Sequence, residues 1–471
     1  MENKRKVSRR DFLKLGATGS AALALASCAP SEESAPAGEE PAVVDEAPAD
    51  EPVEINFLAW GDIVDVPVWG VLGDMYTEHN PNVTVNITHV PDPGGGNFYS
   101  KFRTMVAGGE APHVASAQGW EWQPFADDGV LAPLDDYIKL ENFTTAYPDI
   151  QAIKDSTIRD GKTYLVPLQI GMMLMFYVKS HFDEAGLPYP TEDWTVDEFL
   201  DTAMKLTKQD GDSKQFGYQA NNTYARDIHW IMTSGKREFD QLVDPTKAQF
   251  NQPEIAEMLQ LMVGDVFNGN TKVSPTPADL EGGSNTIDTG NVSMKYEGPW
   301  FFGRLDNAEL RESGKNIDFD CVMMPKGRDG SRKHRGWAEG VVVPASDNPE
   351  AGWGFAKFMG DSEGNKVYCE ATGRIPNDPA LIESWWLPTI KESFGVDMGD
   401  QWLKISKNLE VDVIGISRAS IWNECAKPLA WDPMVAGDKT AAEVLPELDA
   451  CVQGLLRSEE RRVGKECRSR W

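Results

Sequence analysis

Between Val53 and Gln118, short apolar segments alternate with amphipathic ones, and that alternation limits the fold more than any other feature of the chain. Glu54-Ile55-Asn56-Phe57-Leu58-Ala59-Trp60 reads as a buried strand ending in a turn at Gly61-Asp62. Trp69 to His79 has helical periodicity and stops at Asn80-Pro81, because proline steers the residue before it out of the helical region. Val83 to Val90 alternates as a second strand, Phe98 to Ala107 reads as a helix closed by Gly108-Gly109, and Val114 to Ala117 as a third strand. Strand–helix–strand order predicts a parallel sheet whose ligand groups gather at the carboxyl ends of its strands. Trp60, Asp62, Gln118 and Trp120 stand at such ends. Further along, Gln169 to Tyr177 is an apolar run that reads as a strand leaving one lobe and entering another. Trp194 to Phe199 opens a helix, with Thr195 as N-cap and Glu198 at the capping-box position. A chain of 471 residues is too long for one ordinary core. The expected class is therefore α/β with two lobes.

Both ends differ from this body. Residues Lys4 to Arg10 are basic and Leu15 to Ala26 are small and apolar, which is the layout of an export signal too short to span a membrane. Within it, Ser8-Arg9-Arg10-Asp11-Phe12-Leu13-Lys14 is similar to the twin-arginine export motif. Leu25-Ala26-Ser27-Cys28 resembles a bacterial lipobox, so residues 1–27 are expected to be removed and Cys28 lipidated. Two or three acyl chains, at about 0.8 kcal/mol per buried methylene, would hold such a protein to a membrane surface. From Cys28 to Pro52 the chain has eight acidic residues, no basic one and prolines at 30, 36, 41, 48 and 52. That composition predicts an extended spacer. Residues 457–471 break the acidic character with six basic and three acidic residues. They look like the translation of a sequencing adapter, appended after an amphipathic helix over Ala441 to Leu456.

Composition closes several functional classes. A formal charge of −29 opposes nucleic-acid binding and favours a soluble monomer. Cys28, Cys321, Cys369, Cys425, Cys451 and Cys467 form no CxxC pair and indicate neither a zinc ribbon nor a disulfide scaffold. The six His show no HExxH or other ligand spacing, so no metal or other cofactor is expected. Gly94-Gly95-Gly96 lacks the Lys-Ser/Thr of a phosphate loop and reads as a plain loop.

A set of loose motifs, in order along the chain, carries a family resemblance. Asn80-Pro81, Val106 to His113, Asp128 to Asp135, Phe182 to Pro188, Glu297-Gly298-Pro299-Trp300 and Gly373-Arg374-Ile375-Pro376 resemble stretches of family 1 extracellular solute-binding proteins. These are sugar-binding subunits of ABC importers, of the maltose-binding type. His113 departs from the pattern, which usually has Asp there. The resemblance implies a type II-like periplasmic-binding fold, with two lobes joined by a hinge that the chain crosses three times. Mapped here, the crossings fall near Gln169 to Leu174, Asp320 to Met323 and Ala371 to Asn377. Lobe 1 is then 53–169 with 321–372, and lobe 2 is 170–320 with 373–456. Such receptors close on their ligand and present it to a membrane permease.

A sugar is gripped by aromatic plates under its C–H faces and by polar groups on its hydroxyls. By resemblance, Trp300 and Trp422 match stacking tryptophans, Gln169 a polar residue at the first crossing and Trp230 a second-lobe aromatic. The residues themselves add Trp120 beside Gln118, Glu297 beside Trp300, Glu339 beside Trp337, and Arg374 at the third crossing. The ligand class stays open among oligosaccharides, monosaccharides, polyols and glycerol phosphate esters, with the many Trp favouring several rings. Two other roles remain: a solute sensor for a signalling system, and an exported glycoside hydrolase using paired carboxylates such as Glu121 and Glu297. The chain has no GxSxG elbow and no metal constellation, so no enzymatic activity is expected.

Overall fold

The computed structural model describes residues 52–61, 66–91, 96–143, 150–210, 213–268, 271–283, 285–346 and 348–469. The export signal, Cys28, the acidic spacer and Asp62 lie outside the described residues. The body from Glu51 onward is one compact unit.

Strand β1 (Val53–Gly61) leads through helix α1 (Val66–His79) to β2 (Val83–Pro91), then through α2 (Gly96–Ala107) to β3 (Val114–Gln118). β1 pairs in parallel with β2 on one side and β3 on the other, as the alternation predicts. The sheet does not stay parallel. β4 (Leu165–Met172) ends one residue before β5 (Leu174–Val178), which belongs to a different sheet with β6 (Met294–Glu297) and β7 (Phe319–Val322), antiparallel throughout. The chain then returns: β8 (His334–Val342) inserts between β3 and β4, antiparallel to both. Short β9 (Ile375–Pro376) and β10 (Leu409–Glu410) complete a seven-stranded sheet ordered β9-β4-β8-β3-β1-β2, with β10 on β8. A strand arriving from so far downstream leaves no mark in local spacing, so the purely parallel expectation fails here.

The outer face of the large sheet packs Ile55, Phe57, Val166 and Val341 against Trp69 and Leu72 of α1 and Trp353 and Phe355 of the helix Pro349–Gly360. A second core unites β4 and β5 with Phe199 and Leu200 of α3 (Val196–Leu206), whose predicted Thr195–Glu198 capping box is formed. A third core packs α4 (Tyr224–Thr233) against the π-helical segment Ile421–Trp431 and the long helix Ala441–Ser469, which buries side chains from Ala441 to Leu456 there. Cys425 and Cys451 join these two segments as a disulfide, with Cα atoms 5.8 Å apart. Sequence spacing pointed to no disulfide framework, and a 26-residue separation between two helices gives no local cue to this bridge. Among the described residues no helix is long and apolar enough to cross a membrane. No group of three or more His, Cys, Asp or Glu among them is arranged to hold a metal ion.

Candidate functional site

The β8 strand organises the site through an irregularity. Val341 and Val343 pack into the outer core, yet Trp337, also at an odd position, packs on the opposite side toward β5. An unbroken strand would put all three on one face. The register shift between Glu339 and Gly340 separates them, and such a bulge re-aims side chains. Trp337 and Glu339 thus turn to one side, where the indole Nε1 donates to Glu339 Oε2 at 3.4 Å. Glu339 is paired across the sheet with Gln118 of β3 and Gln169 of β4.

Three indoles converge here. Trp120, two residues past the end of β3, meets Trp337 edge to face at 5.2 Å. Trp300, in the turn after β6, lies 6.2 Å from Trp337. Two glycines make the arrangement possible. A Cβ on Gly171 would come within 2.2 Å of the Trp337 ring, and one on Gly298 within 2.2 Å of the Trp300 ring. Each indole therefore lies on bare backbone.

Guanidinium groups sit among the rings. Arg335 is 4.5 Å from the centre of Trp337 and 5.2 Å from Trp120, Arg418 is 3.9 Å from Trp120, and Arg226 is 5.7 Å from Trp300. Arg335 Nε and Nη2 both reach Asp412 Oδ2, at 2.8 and 2.5 Å, and Arg418 pairs with the same oxygen. Burial pulls the Arg335 guanidinium down to about 10, against the pull of Asp412. Burial alone would raise Asp412, but Arg335 and Arg418 overcome it and hold the carboxyl below its ordinary value. Beyond Trp300, Glu297 lies 3.8 Å from both Arg226 and Lys295. Lys295 donates to Asn221 Oδ1 at 2.9 Å, and its ammonium is pulled down by burial although Glu297 opposes this.

Several buried polar atoms around this cluster have no hydrogen-bond partner: Trp120 Nε1, Arg335 Nη1, Arg418 Nε, the Tyr296 hydroxyl and Glu297 Oε2, which has only the 3.8 Å ion pair with Arg226. Native interiors rarely leave such atoms unmet, and their concentration on one aromatic cluster marks it as the place where a ligand would meet them. Surface cavities of about 360 Å³ beside Arg332 and Lys404, and about 220 Å³ beside Gly437 and Thr440, lie apart and include no indole.

The sequence candidates divide accordingly. Trp120, Trp300, Trp337, Glu297 and Glu339 are brought together, with Gln118 and Gln169 on the strands flanking Glu339. Trp60 stands at the end of β1, where its backbone N–H donates to Ser116 Oγ at 3.1 Å. Three further candidates make ring contacts with other residues. Trp230 is wholly buried, stacked on Phe199 at 5.6 Å, because its position on α4 faces the second core. Trp422 is half-buried and meets Trp431 edge-on at 6.0 Å, packing on the third core. Arg374 lies over Tyr368 at 5.6 Å, on the outer-core side of the large sheet. Arg335, Asp412, Arg418 and Arg226 were not singled out from sequence. Arg335-Trp337-Glu339 does show the two-residue period of one strand face and could have been read. Asp412 and Arg418 come from a stretch with no local signal.

Residues 60–366 match the family of bacterial extracellular solute-binding proteins, and the chain belongs to that family. Its relatives include a binding protein of Brucella abortus, 24% identical over 64% of this chain and 70% of that one. Another is the arabinooligosaccharide-binding protein of Halalkalibacterium halodurans, 22% identical over 74% of this chain and 78% of that one. Among solved structures, the ABC substrate-binding protein of Listeria monocytogenes in complex with cycloalternan superposes with a TM-score of 0.70 at 22% identity. The match covers 88% of this chain and all of that one. The fold is therefore the two-lobed α/β fold of periplasmic binding proteins, and the protein is an exported solute-binding protein.

Proposed function

We propose that the chain is the substrate-binding subunit of an ABC importer and captures an oligosaccharide between two lobes. The observation that carries this is the cluster of Trp120, Trp300 and Trp337 with unpartnered buried polar atoms at its edges. Flat rings fit sugar C–H faces, and the polar atoms fit hydroxyls. The oligosaccharides named for the relatives point the same way. Trp337 is only 3% exposed, so a ligand enters only when the halves part. The places where the chain passes between sheets supply the hinge: Met173, the stretch between β7 and β8, and the segment after β9. On this reading lobe 1 is 53–169 with 321–372 and lobe 2 is 170–320 with 373–456. Cys28 carries the lipid that tethers the protein, a monomer, near its permease. Binding is stoichiometric, without turnover.

Calorimetric titration against arabino-, galacto- and malto-oligosaccharides tests the reading. One ligand per chain is expected, with the sugar recovered intact by chromatography. Released product would replace the receptor with a hydrolase, and silence across the panel would remove the carbohydrate. Cys28→Ser is expected to abolish incorporation of labelled palmitate in a lipoprotein-processing host.

A further inference from the structure

The Trp120 ring is covered by the chain's own side chains. The guanidinium carbon of Arg418 lies 3.9 Å over the centre of the ring, which is carbon–carbon contact distance, so nothing fits between them. Trp337 meets Trp120 edge to face at 5.2 Å, Arg335 lies 5.2 Å away, and only 8% of Trp120 is exposed. On the proposed division Trp120 belongs to lobe 1 and Arg418 to lobe 2. The guanidinium then comes from the facing lobe and fills the layer in which a sugar face would lie on this indole.

The two arginines beside Trp120 are held differently. Arg335 is buried and gives Nε and Nη2 to Asp412 Oδ2, at 2.8 and 2.5 Å. Asp412 follows β10, which pairs with β8 at Arg335 itself, so the sheet keeps this ion pair together. Arg418 reaches the same oxygen through Nη1, its Nε has no hydrogen-bond partner, and its side chain is 13% exposed. It stands beyond the sheet, at the start of the helical turn Arg418–Ser420. Turning Arg418 off the ring leaves Asp412 paired with Arg335, so no buried carboxylate is stranded.

We propose that Arg418 is a gate on the Trp120 plate: its guanidinium occupies the ring face, and an oligosaccharide displaces it to stack there. This rests on the carbohydrate reading above and adds a residue that sets affinity by competing with the ligand. The apparent dissociation constant is the intrinsic one divided by the fraction of chains whose plate is uncovered. A cation–π contact of ordinary strength corresponds to about two- to thirtyfold in an equilibrium constant.

The full chain, Arg418→Ala and Arg418→Gln are titrated by calorimetry with arabino-, galacto- and malto-oligosaccharides. Both substitutions are expected to tighten binding of at least one of these sugars threefold or more, whereas loss of an ordinary ligand contact would weaken it. A second measurement uses the wild-type chain, so a folding defect in the variants leaves the test intact. The Arg418 Nε–H proton resonance, displaced upfield by the indole beneath it, is expected to move downfield when the sugar saturates the protein. Unchanged or weaker binding in the folded variants would overturn the gate and leave the carbohydrate reading standing. A resonance that keeps its upfield position in the sugar complex would do the same. If neither the wild-type chain nor the variants bind any sugar of the panel, the carbohydrate reading is lost and the gate with it.

Discussion

At the scale of single residues, the site depends on what is missing as much as on what is present. Gly171 lets the Trp337 indole lie across β4, and Gly171→Ala forces the ring off a contact that would otherwise be 2.2 Å. Overpacking of this kind costs about 1–3 kcal/mol. Gly171→Ala is expected to lower the urea midpoint, shift tryptophan emission and weaken ligand binding together. A variant with wild-type emission and affinity would show that the ring has another seat. Asp412 pairs with two guanidiniums, one of them 1% exposed. Asp412→Ala strands a buried charge and is expected to cost about 3–5 kcal/mol by chemical denaturation. A loss under 1 kcal/mol would mean that water reaches Arg335.

Asp227 gives a dependence on pH with a definite sign. Burial pushes its carboxyl up to about 7, although the Trp431 indole donates to it at 2.8 Å. A group raised in the folded state contributes stability at pH below its unfolded value and loses it as pH climbs through the folded one. Asp227→Asn does not titrate. The variant should match wild type near pH 4 and gain on it steadily up to pH 8, read as the difference in urea midpoints. A constant difference across that range would place Asp227 in contact with solvent.

At the scale of elements, the third core is closed covalently. Cys425 in the π-helical segment is bonded to Cys451 in the final helix, with a sequence separation of 26. Both partners also bury apolar faces there, through Ile421 and Trp431 on one side and Val444, Leu448 and Val452 on the other. In the chain-entropy account, a loop of this size contributes about 3.5 kcal/mol by restricting the unfolded chain. Cys425→Ser with Cys451→Ser is expected to lower stability by roughly that amount, and the stability of the variant should not respond to reductant. Such a bond suits a protein of an oxidising compartment, in keeping with the family. Helix starts were legible at this scale where a side chain writes the boundary, as at Thr195 and Glu198. The β8 strand was legible as Trp337 and Glu339 but not as a sheet position, because insertion between β3 and β4 involves partners far away in sequence.

At the scale of the whole molecule, Arg159 bridges segments that the proposed division assigns to different lobes. It donates to both carboxylate oxygens of Asp127 at 2.8 Å and to Asp244 at 2.5 Å, while the Asp244 backbone N–H donates to the Ile414 carbonyl. A partly exposed pair of this kind is worth about 0.2–1 kcal/mol and is screened by salt. Asp244→Asn is expected to speed ligand release by up to about fivefold in stopped flow at low salt. The effect should fade at 0.5 M salt. Release unchanged at low salt would show that the ion pair does not resist opening.

The sequence by itself determined what is written in local order: the strand–helix rhythm from Val53 to Gln118 and the family likeness, beside the expectation of an export and lipidation signal. It also marked Trp120, Trp300 and Trp337 as candidate plates, since each stands beside a polar partner. Tertiary structure alone decided which indoles meet. Trp230 and Trp422 carry the same sequence signature, yet Trp230 stacks on Phe199 and Trp422 meets Trp431. It also decided that Arg335 and Arg418 share Asp412 among the rings. Pattern along a chain reports neighbours within a few residues, whereas the charge and shape of this cluster depend on segments hundreds of residues apart that only the folded core holds together.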